Sequence, residues 1–592
     1  MDVRAWSERA GRAWLGRRAS VLARSGVAGL FEPVFALALA FAACLAFGAF
    51  RQTTLPLDDA YIHMAYGKHL HWGTWLSFNG DHPDTGSSSW AWTLLAAASE
   101  RLGLHTPTVL LLCGIFSLAW ILRLTIAFGR LALPESIVGR RLWPYAGALL
   151  VAANGNVLWL ALSGMEAIPT VAVVMAFVHR LQARRVIDGR LALLGILMLW
   201  LRVETVVWLA GVPLLMLVSR RRPRGRLGWA LVPLAGLALQ LGYTLALAGS
   251  LLPTSSAAKG ATFVPTRPSP SEALDFLYRV DRDYLDNFLE GWQLELRVLA
   301  GAALVLACAV AYRLVRRRGQ GFADAHLATA SLLGGTLVQT LAYVLTFRTA
   351  YHHLRYFAPL LVVCSALVVP LTALALHVVW RTLCGASARL GTPARTLLLG
   401  APVAWLAGHA LALELLGVGT WAGIYASNCA QLEAVHGATA RWLGAHASEL
   451  RHPAVASFDI GVLRYVSGLR AVDLGGLLDP DVLRYRQARD NAGLIAEARP
   501  SIYVSLDNGF DRVPRRDAKR RFTLERLATF AFPEYADPFP PHSKRMEVFL
   551  VNHCGEPQRV RSVVGDGLGF EPTEPPSAAE WEGQSFEGAP GG

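Results

Sequence analysis

The chain has 592 residues, 53% of them hydrophobic and 17% charged, with a mean hydropathy of +0.36. A soluble globular chain carries about 25% charged residues, so an ordinary soluble enzyme is excluded. Residues 425–592 hold 19 Lys and Arg against 22 Asp and Glu, so the whole formal excess of +13 lies before residue 425.

The basic residues of that first part stand in short clusters between apolar runs, as the positive-inside rule expects of a membrane protein. Nucleic-acid binding would instead ask for a continuous basic patch on a polar body, so no nucleic-acid partner is expected. Residues 1–30 carry Arg4, Arg9, Arg12, Arg17, Arg18 and Arg24 and read as a cytoplasmic N-terminus. The apolar run that follows has no small-residue cleavage site, so it reads as an uncleaved first span.

A spanning helix needs about 20 residues. Placing one crossing on each side of every basic cluster predicts spans near 31–50, 107–128, 142–162, 165–182, 190–203, 204–219, 227–250, 297–315, 326–347, 355–379 and 397–420. Eleven spans put the N-terminus inside and the C-terminal part outside. Residues 88–102 are too short to cross, and counting them would move every later basic cluster to the wrong side, so they read as a surface helix. The expected organisation is a membrane domain over 31–424, with outer loops 51–106 and 251–296, then a soluble domain over 425–570 and a disordered Pro/Gly/acid-rich tail over 571–592. Short β-like runs at Ala454–Phe458, Leu469–Val472, Ser501–Ser505 and Glu547–Asn552, separated by helical stretches, make the soluble domain α/β by pattern.

The first outer loop opens with Asp58 and Asp59, and helical spacing puts Asp59, His63 and Tyr66 on one face. An acidic pair also suits any first helical turn, but that accounts poorly for two carboxylates with a His and a Tyr in register. Further polar residues stand at the expected outer ends: Glu166 in Ser163-Gly164-Met165-Glu166, Arg202 with Glu204, Lys259 after Pro253, and His352, His353, Arg355 and Tyr356 before the tenth span. Ion pairing, snorkelling and headgroup anchoring are the structural alternatives for these cations. Charges gathered at one membrane face more often mark function.

In this order the residues resemble the GT-C superfamily of integral-membrane glycosyltransferases, which use polyprenyl-phosphate sugars as donors. The resemblance rests on Asp58-Asp59, Asn79-Gly80-Asp81 with Gly86-Ser87-Ser88, Ser163 to Glu166, Arg202-Val203-Glu204, Leu252-Pro253 with Lys259, and Arg355-Tyr356-Phe357. It extends to Ser457–Gly461 and Val472–Asp479. Within that superfamily it resembles cell-wall arabinofuranosyltransferases of actinobacteria and similar bacterial mannosyl- or arabinosyltransferase-like proteins. Gly86-Ser87-Ser88-Ser89-Trp90 and Arg202-Val203-Glu204 depart from the family's usual Thr-Ser-Pro and Arg-Pro-Glu.

The resemblance implies a bacterial inner-membrane enzyme, inverting, with Asp58 activating an acceptor hydroxyl on a glycan or other envelope molecule and Asp59 and Glu166 beside it. Arg355, Lys259, His352, His353 and Tyr356 are the expected holders of the donor's phosphate, with His63, Tyr66, Arg202 and Glu204 in support. A positioned carboxylate taking the proton of a poor nucleophile typically gains about 10²–10⁴-fold, which makes the assignment chemically sensible. No dedicated metal site stands out, although carboxylates beside a phosphate would suit a divalent cation such as Mg or Mn. The rival class is a multi-span lipid or sugar transporter or flippase, which usually shows two related halves. No such internal repeat is present. Cys429 and Cys554, the only cysteines beyond the last expected span, are expected to form a disulfide in an oxidising outer compartment.

Overall fold

The computed structural model describes residues 30–52, 54–70, 75–213, 224–251, 253–263, 298–299, 301–302, 324–346, 351–384, 394, 396–479, 481–506, 513, 521–532 and 544–553. Most of the expected loop 251–296, the expected span 297–315 and the expected tail 571–592 lie outside these residues. The chain is a polytopic helical protein followed by an α/β domain. Among the described residues five helices are long and apolar enough to cross a membrane: Thr106–Ala132, Gly228–Ala248, Ala328–Leu345, Arg355–Arg381 and Leu397–Ala445. A sixth is a pair of helices bent by 62°.

In chain order the helices are α1 (Leu30–Ala46), α2 (Asp58–His69), α3 (Trp90–Arg101), α4 (Thr106–Ala132), α5 (Trp143–Ala153), α6 (Gly155–Leu162), α7 (Ala167–Val178), α8 (Gly189–Leu201), α9 (Gly228–Ala248), α10 (Thr254–Phe263), α11 (Asp324–Thr346), α12 (Ala358–Cys384), α13 (Ala401–Leu432) and α14 (Ala438–Ala445). The apolar segment 88–102 is realised as α3, packed on α2 and α4. The stretch 204–219, expected as a span, begins as a 3-10 helix over Val203–Ala210.

Local chemistry explains the breaks. Asn154 ends α5 and caps α6, its Oδ1 accepting the N–H of Val157 at 2.9 Å, which satisfies one of the orphan donors of a helix start. The same side chain donates to Glu414 on α13 at 3.1 Å, so the bend inside the apolar bundle leaves neither polar group stranded. Gly67 is where α2 and α3 touch backbone to backbone. A Cβ there would stand 2.7 Å from the Ala97 nitrogen.

Residues after α13 continue helically through a π-turn, Glu433–Gly437, into α14, and the first strand of the soluble domain begins only at Ala454. The soluble domain comprises β1 (Ala454–Ser457), α15 (Gly461–Ser467), β2 (Arg470–Asp473), α16 (Val482–Ala488), α17 (Asn491–Ala498), β3 (Ile502–Leu506), β4 (Phe522–Ala531) and β5 (Arg545–His553). Its sheet runs β2-β1-β3-β5-β4, with β1 parallel to β2 and β3 and the β3–β5 and β5–β4 pairs antiparallel. The short strand β1, buried at all four residues, lies inside the sheet between β2 and β3, as an apolar run without alternation suggests. Gly468, at φ 73°, ends α15 in the left-handed conformation that a glycine adopts without strain.

The soluble domain sits on α2 and the loop behind it. Asn79 pairs with Ala471 as one strand pairs with another, accepting its N–H at 2.9 Å and donating to its carbonyl at 3.0 Å. Arg470 meets Asp81 at 3.0 Å. Tyr465 donates to Glu100 at 2.7 Å. Arg464 reaches the Asn79 carbonyl and the His69 ring.

Candidate functional site

Three short irregular segments bring charge to one place. The turn Ser163–Glu166 joins α6 to α7, with Gly164 at φ 72° making a corner that a Cβ would drive into Leu55. The C-terminal end of α8 delivers Arg202 and Glu204. The third segment is a helical turn Tyr351–Leu354 followed by a 3-10 turn Arg355–Phe357. Here His353 and Leu354 both adopt positive φ, 53° and 60°, unusual for non-glycine residues and held only where packing insists. The insistence is visible. The His353 ring lies edge-on between Trp159 and Trp421 at 4.4 and 5.2 Å, and Nε2 meets Asn428 at 3.3 Å. The left-handed pair thus sends His353 into the core and leaves Arg355 to emerge on the other side.

These segments enclose, with the first turns of α2 and α10, a cavity of about 810 Å³ including its mouth. Asp59, His63, Glu166, Arg202, Glu204, Arg355 and Tyr356 line it, together with Ser88, Ser255, Ser256 and Tyr343. Leu477 from the soluble domain completes one wall. Seven of the residues singled out from sequence therefore converge.

The electrostatics divide into two pairs of partners. Arg202 is clamped between Glu166 at 2.6 Å and Glu204 at 2.5 Å, and lies over the Tyr356 ring at 5.0 Å. The Tyr343 hydroxyl also donates to Glu204. Arg355, 4% exposed, gives Nη2 to Asp59 at 2.5 Å and to the Tyr356 hydroxyl at 3.0 Å. Among the described residues its buried Nε and Nη1 have no hydrogen-bond partner, and neither has Glu166 Oε2, which stands 3.8 Å from His63 Nε2. Buried donors and acceptors without partners are costly, so such atoms at the edge of a cavity are what a bound polar group would satisfy.

Each cavity carboxylate already has an arginine partner. Asp59 is held by Arg355, and Glu166 and Glu204 by Arg202. Among the described residues no three His, Cys, Asp or Glu side chains are grouped to hold a metal.

Other sequence candidates lie elsewhere. Asp58 is buried and faces the soluble domain: its two carboxylate oxygens accept the backbone N–H of Gly461 at 2.8 Å and of Val462 at 2.7 Å. Burial pushes its carboxyl up to about 7, with nearby Asp459 adding to the rise and His436 and the two N–H donors opposing it. Asp459 in turn meets His436 at 3.0 Å. Tyr66 shares the helix face of Asp59 and His63 but lies one turn too far along. It is fully buried against Phe78, and its hydroxyl donates to Asp84, which also accepts the N–H groups of Phe78 and Gly86 and so shapes the loop that carries Ser88. Lys259 belongs to α10, but its side chain, like that of His352, is outside the described residues. Cys429 is buried in α13, and Cys554, its expected partner, is likewise outside them.

Sequence reasoning missed Tyr343 and gave the soluble-domain residue Leu477 no place in the site. Tyr343 carried a weak signal, a hydroxyl inside an otherwise apolar helix.

A family profile described as a domain of unknown function (DUF8728) matches residues 424–549. No curated protein matches the chain. Among solved structures, ArnT from Cupriavidus metallidurans bound to undecaprenyl phosphate aligns over 90% of this chain and 99% of its own, at 11% identity and a TM-score of 0.44. The Archaeoglobus fulgidus oligosaccharyltransferase tethered to an acceptor peptide aligns over 80% of this chain and 69% of its own, at 12% identity and a TM-score of 0.41. The archaeal oligosaccharyltransferase AglB from the same organism, in complex with an inhibitory peptide and a dolichol-phosphate, gives 12% identity and a TM-score of 0.35, covering 80% of this chain and 70% of its own.

Proposed function

We propose that the chain is a membrane glycosyltransferase of the GT-C type that moves a sugar from a polyprenyl-phosphate donor to a hydroxyl-bearing acceptor. The observation that carries this reading is the pairing of Asp59 with Arg355, whose remaining buried nitrogens have no partner among the described residues, beside a membrane-embedded bundle. A lipid phosphate brings the oxygens those nitrogens lack, and a guanidinium is the side chain best shaped to grip them.

The acceptor oxygen attacks the anomeric carbon as the bond from that carbon to the phosphate oxygen breaks. The acceptor's proton passes to a carboxylate, and the phosphate leaves with the bonding electrons. Arg355 supplies fixed positive charge where negative charge grows, the arrangement that stabilises such a transition state most strongly. Asp59, rather than Asp58, is the base this geometry favours, because Asp59 lines the cavity while both oxygens of Asp58 are taken by backbone N–H groups. Glu166 Oε2 is placed to accept a sugar hydroxyl, and the carboxylates flanking the site suit an oxocarbenium-like centre.

The distribution of basic clusters supports a cavity on the extracytoplasmic side of a bacterial inner membrane, with the N-terminus inside and an envelope glycan among the natural acceptors. The sequence resemblance favours an arabinofuranosyl or mannosyl unit as the sugar. Purified protein in lipid vesicles, offered radiolabelled polyprenyl-phosphate sugars and a short glycan acceptor, should transfer label to the acceptor. Full activity in Asp59→Asn and Arg355→Lys together would reject the assignment of the site.

A further inference from the structure

Asp58 and Asp59 are consecutive on the first turn of α2, so their side chains leave the helix about 100° apart. One faces the soluble domain and the other the cavity. Asp59 is gripped by Arg355 of the membrane part, while Asp58 is gripped by Gly461 and Val462 of the soluble domain. The start of α2 has no side-chain cap of its own. These two opposed contacts hold the first turn from either side.

The approach on the Asp58 side is closer than any residue but glycine allows. A Cβ on Gly461 would lie 2.2 Å from the Asp58 carbonyl oxygen and 2.9 Å from Oδ2. The same domain supplies Leu477 to the cavity wall, through a turn tied down by Asp473, whose carboxylate accepts the N–H groups of Gly475, Leu477 and Leu478. The soluble domain thus touches the site twice, once through its wall and once through the residue next to the base.

Resting on the glycosyltransferase reading above, we infer that Asp58 is a positioning residue: by holding the 461–462 backbone it fixes the first turn of α2, and so places the Asp59 carboxylate for proton transfer. The soluble domain is then a working part of the site. The many other contacts on α2 and its loop keep the domain in place when this one is lost, so the effect is a local displacement of Asp59 and not undocking.

The experiment compares Asp58→Asn, Gly461→Ala and the double variant in the full chain, with Asp59→Asn as reference. Misplacing a catalytic group by about 1 Å costs on the order of 100-fold. Each single variant should lower kcat by about that factor with little change in the KM for the donor, and the double variant should be no worse than the weaker single, because both act through one contact. Residual turnover in Asp59→Asn should fall well below that in Asp58→Asn, since one removes the base and the other only displaces it. Equal or greater loss in Asp58→Asn would make Asp58 the base and overturn the inference. So would wild-type kcat in Gly461→Ala.

A readout that needs no turnover separates this inference from the function it rests on. The rate at which a small thiol reagent labels Asp59→Cys should change by about tenfold when Gly461→Ala is added, as expected for loss of a hydrogen-bonded contact. An unchanged labelling rate overturns the positioning role. A wild-type protein that transfers no sugar, but shows the labelling change, removes the reaction assignment and leaves the coupling standing.

Discussion

The cavity and the junction beside it handle carboxylates in opposite ways. In the cavity Asp59, Glu166 and Glu204 are held by arginine side chains, Arg355 and Arg202. At the junction and in the soluble domain, Asp58 and Asp473 are held by backbone N–H groups. A backbone donor is fixed by the fold and cannot move to a ligand. A guanidinium has five donors and can share them between a carboxylate and an incoming phosphate. Carboxylates of the first kind are available for chemistry; those of the second are joints.

The contrast is broken most severely at Asp59. Asp59→Asn should lower transfer by about 10²–10⁴-fold if it is the general base, with expression and membrane insertion unchanged. Steady-state kinetics with a labelled lipid-linked donor check this.

Arg355→Lys comes next. A point charge in place of the planar fork cannot serve Asp59, Tyr356 and a phosphate together, and each charged hydrogen bond lost is worth about 1.5–3 kcal/mol. Donor KM should rise by about tenfold or more, read from donor titrations. Wild-type KM would make Arg355 an anchor for the bundle and not a donor contact.

Asp473→Asn tests the other class. The amide can serve the N–H groups of Leu477 and Leu478 but faces that of Gly475 with its own NH₂, so about 1–2 kcal/mol of stability should be lost with no charge effect on the reaction. Thermal unfolding of the full chain in detergent measures it. Any loss of transfer should follow the loss of fold.

The smallest effect is a pH dependence at His69. Burial and the neighbouring Arg464 hold its pKa down at about 4 against an ordinary 6.5, and Nε2 accepts from Arg464 at 2.7 Å, which requires the neutral ring. A depressed histidine pKa means that the unfolded chain takes the proton first. Its contribution is therefore complete above about 6.5 and is lost as pH falls through about 4. Unfolding midpoints of wild type and His69→Gln should converge on acidification across that window.

Much of the site was legible from residue type and position. Charges and a carboxylate-histidine pair at the ends of apolar runs are expensive in a membrane and so point to one another, and Asp59, His63, Glu166, Arg202, Glu204, Arg355 and Tyr356 do meet. Which of two adjacent aspartates enters the cavity was not legible, because it depends on a glycine 403 residues away. Nor was the parting of His353 from Arg355. His353 itself and Leu354, the one residue between the two, are left-handed, and nothing local in His-Leu-Arg announces that conformation. The α/β pattern of the soluble domain could be read from its short apolar runs, but its strand order depends on pairings between distant segments.

The partners of Asp58 are the last parts of the site to be made. Ribosomes deliver the chain from its N-terminus, and domains generally fold in that order. Asp59, Glu166, Arg202 and Arg355 all leave the ribosome before Gly461, Val462 and Leu477 have been synthesised. A chain stopped after α13 would carry every charged residue of the cavity, yet would lack one wall and the contact that steadies the start of α2. Completion of translation is thus built into the geometry as a condition for a finished site, and a prematurely terminated product is left with its charges assembled but unaligned.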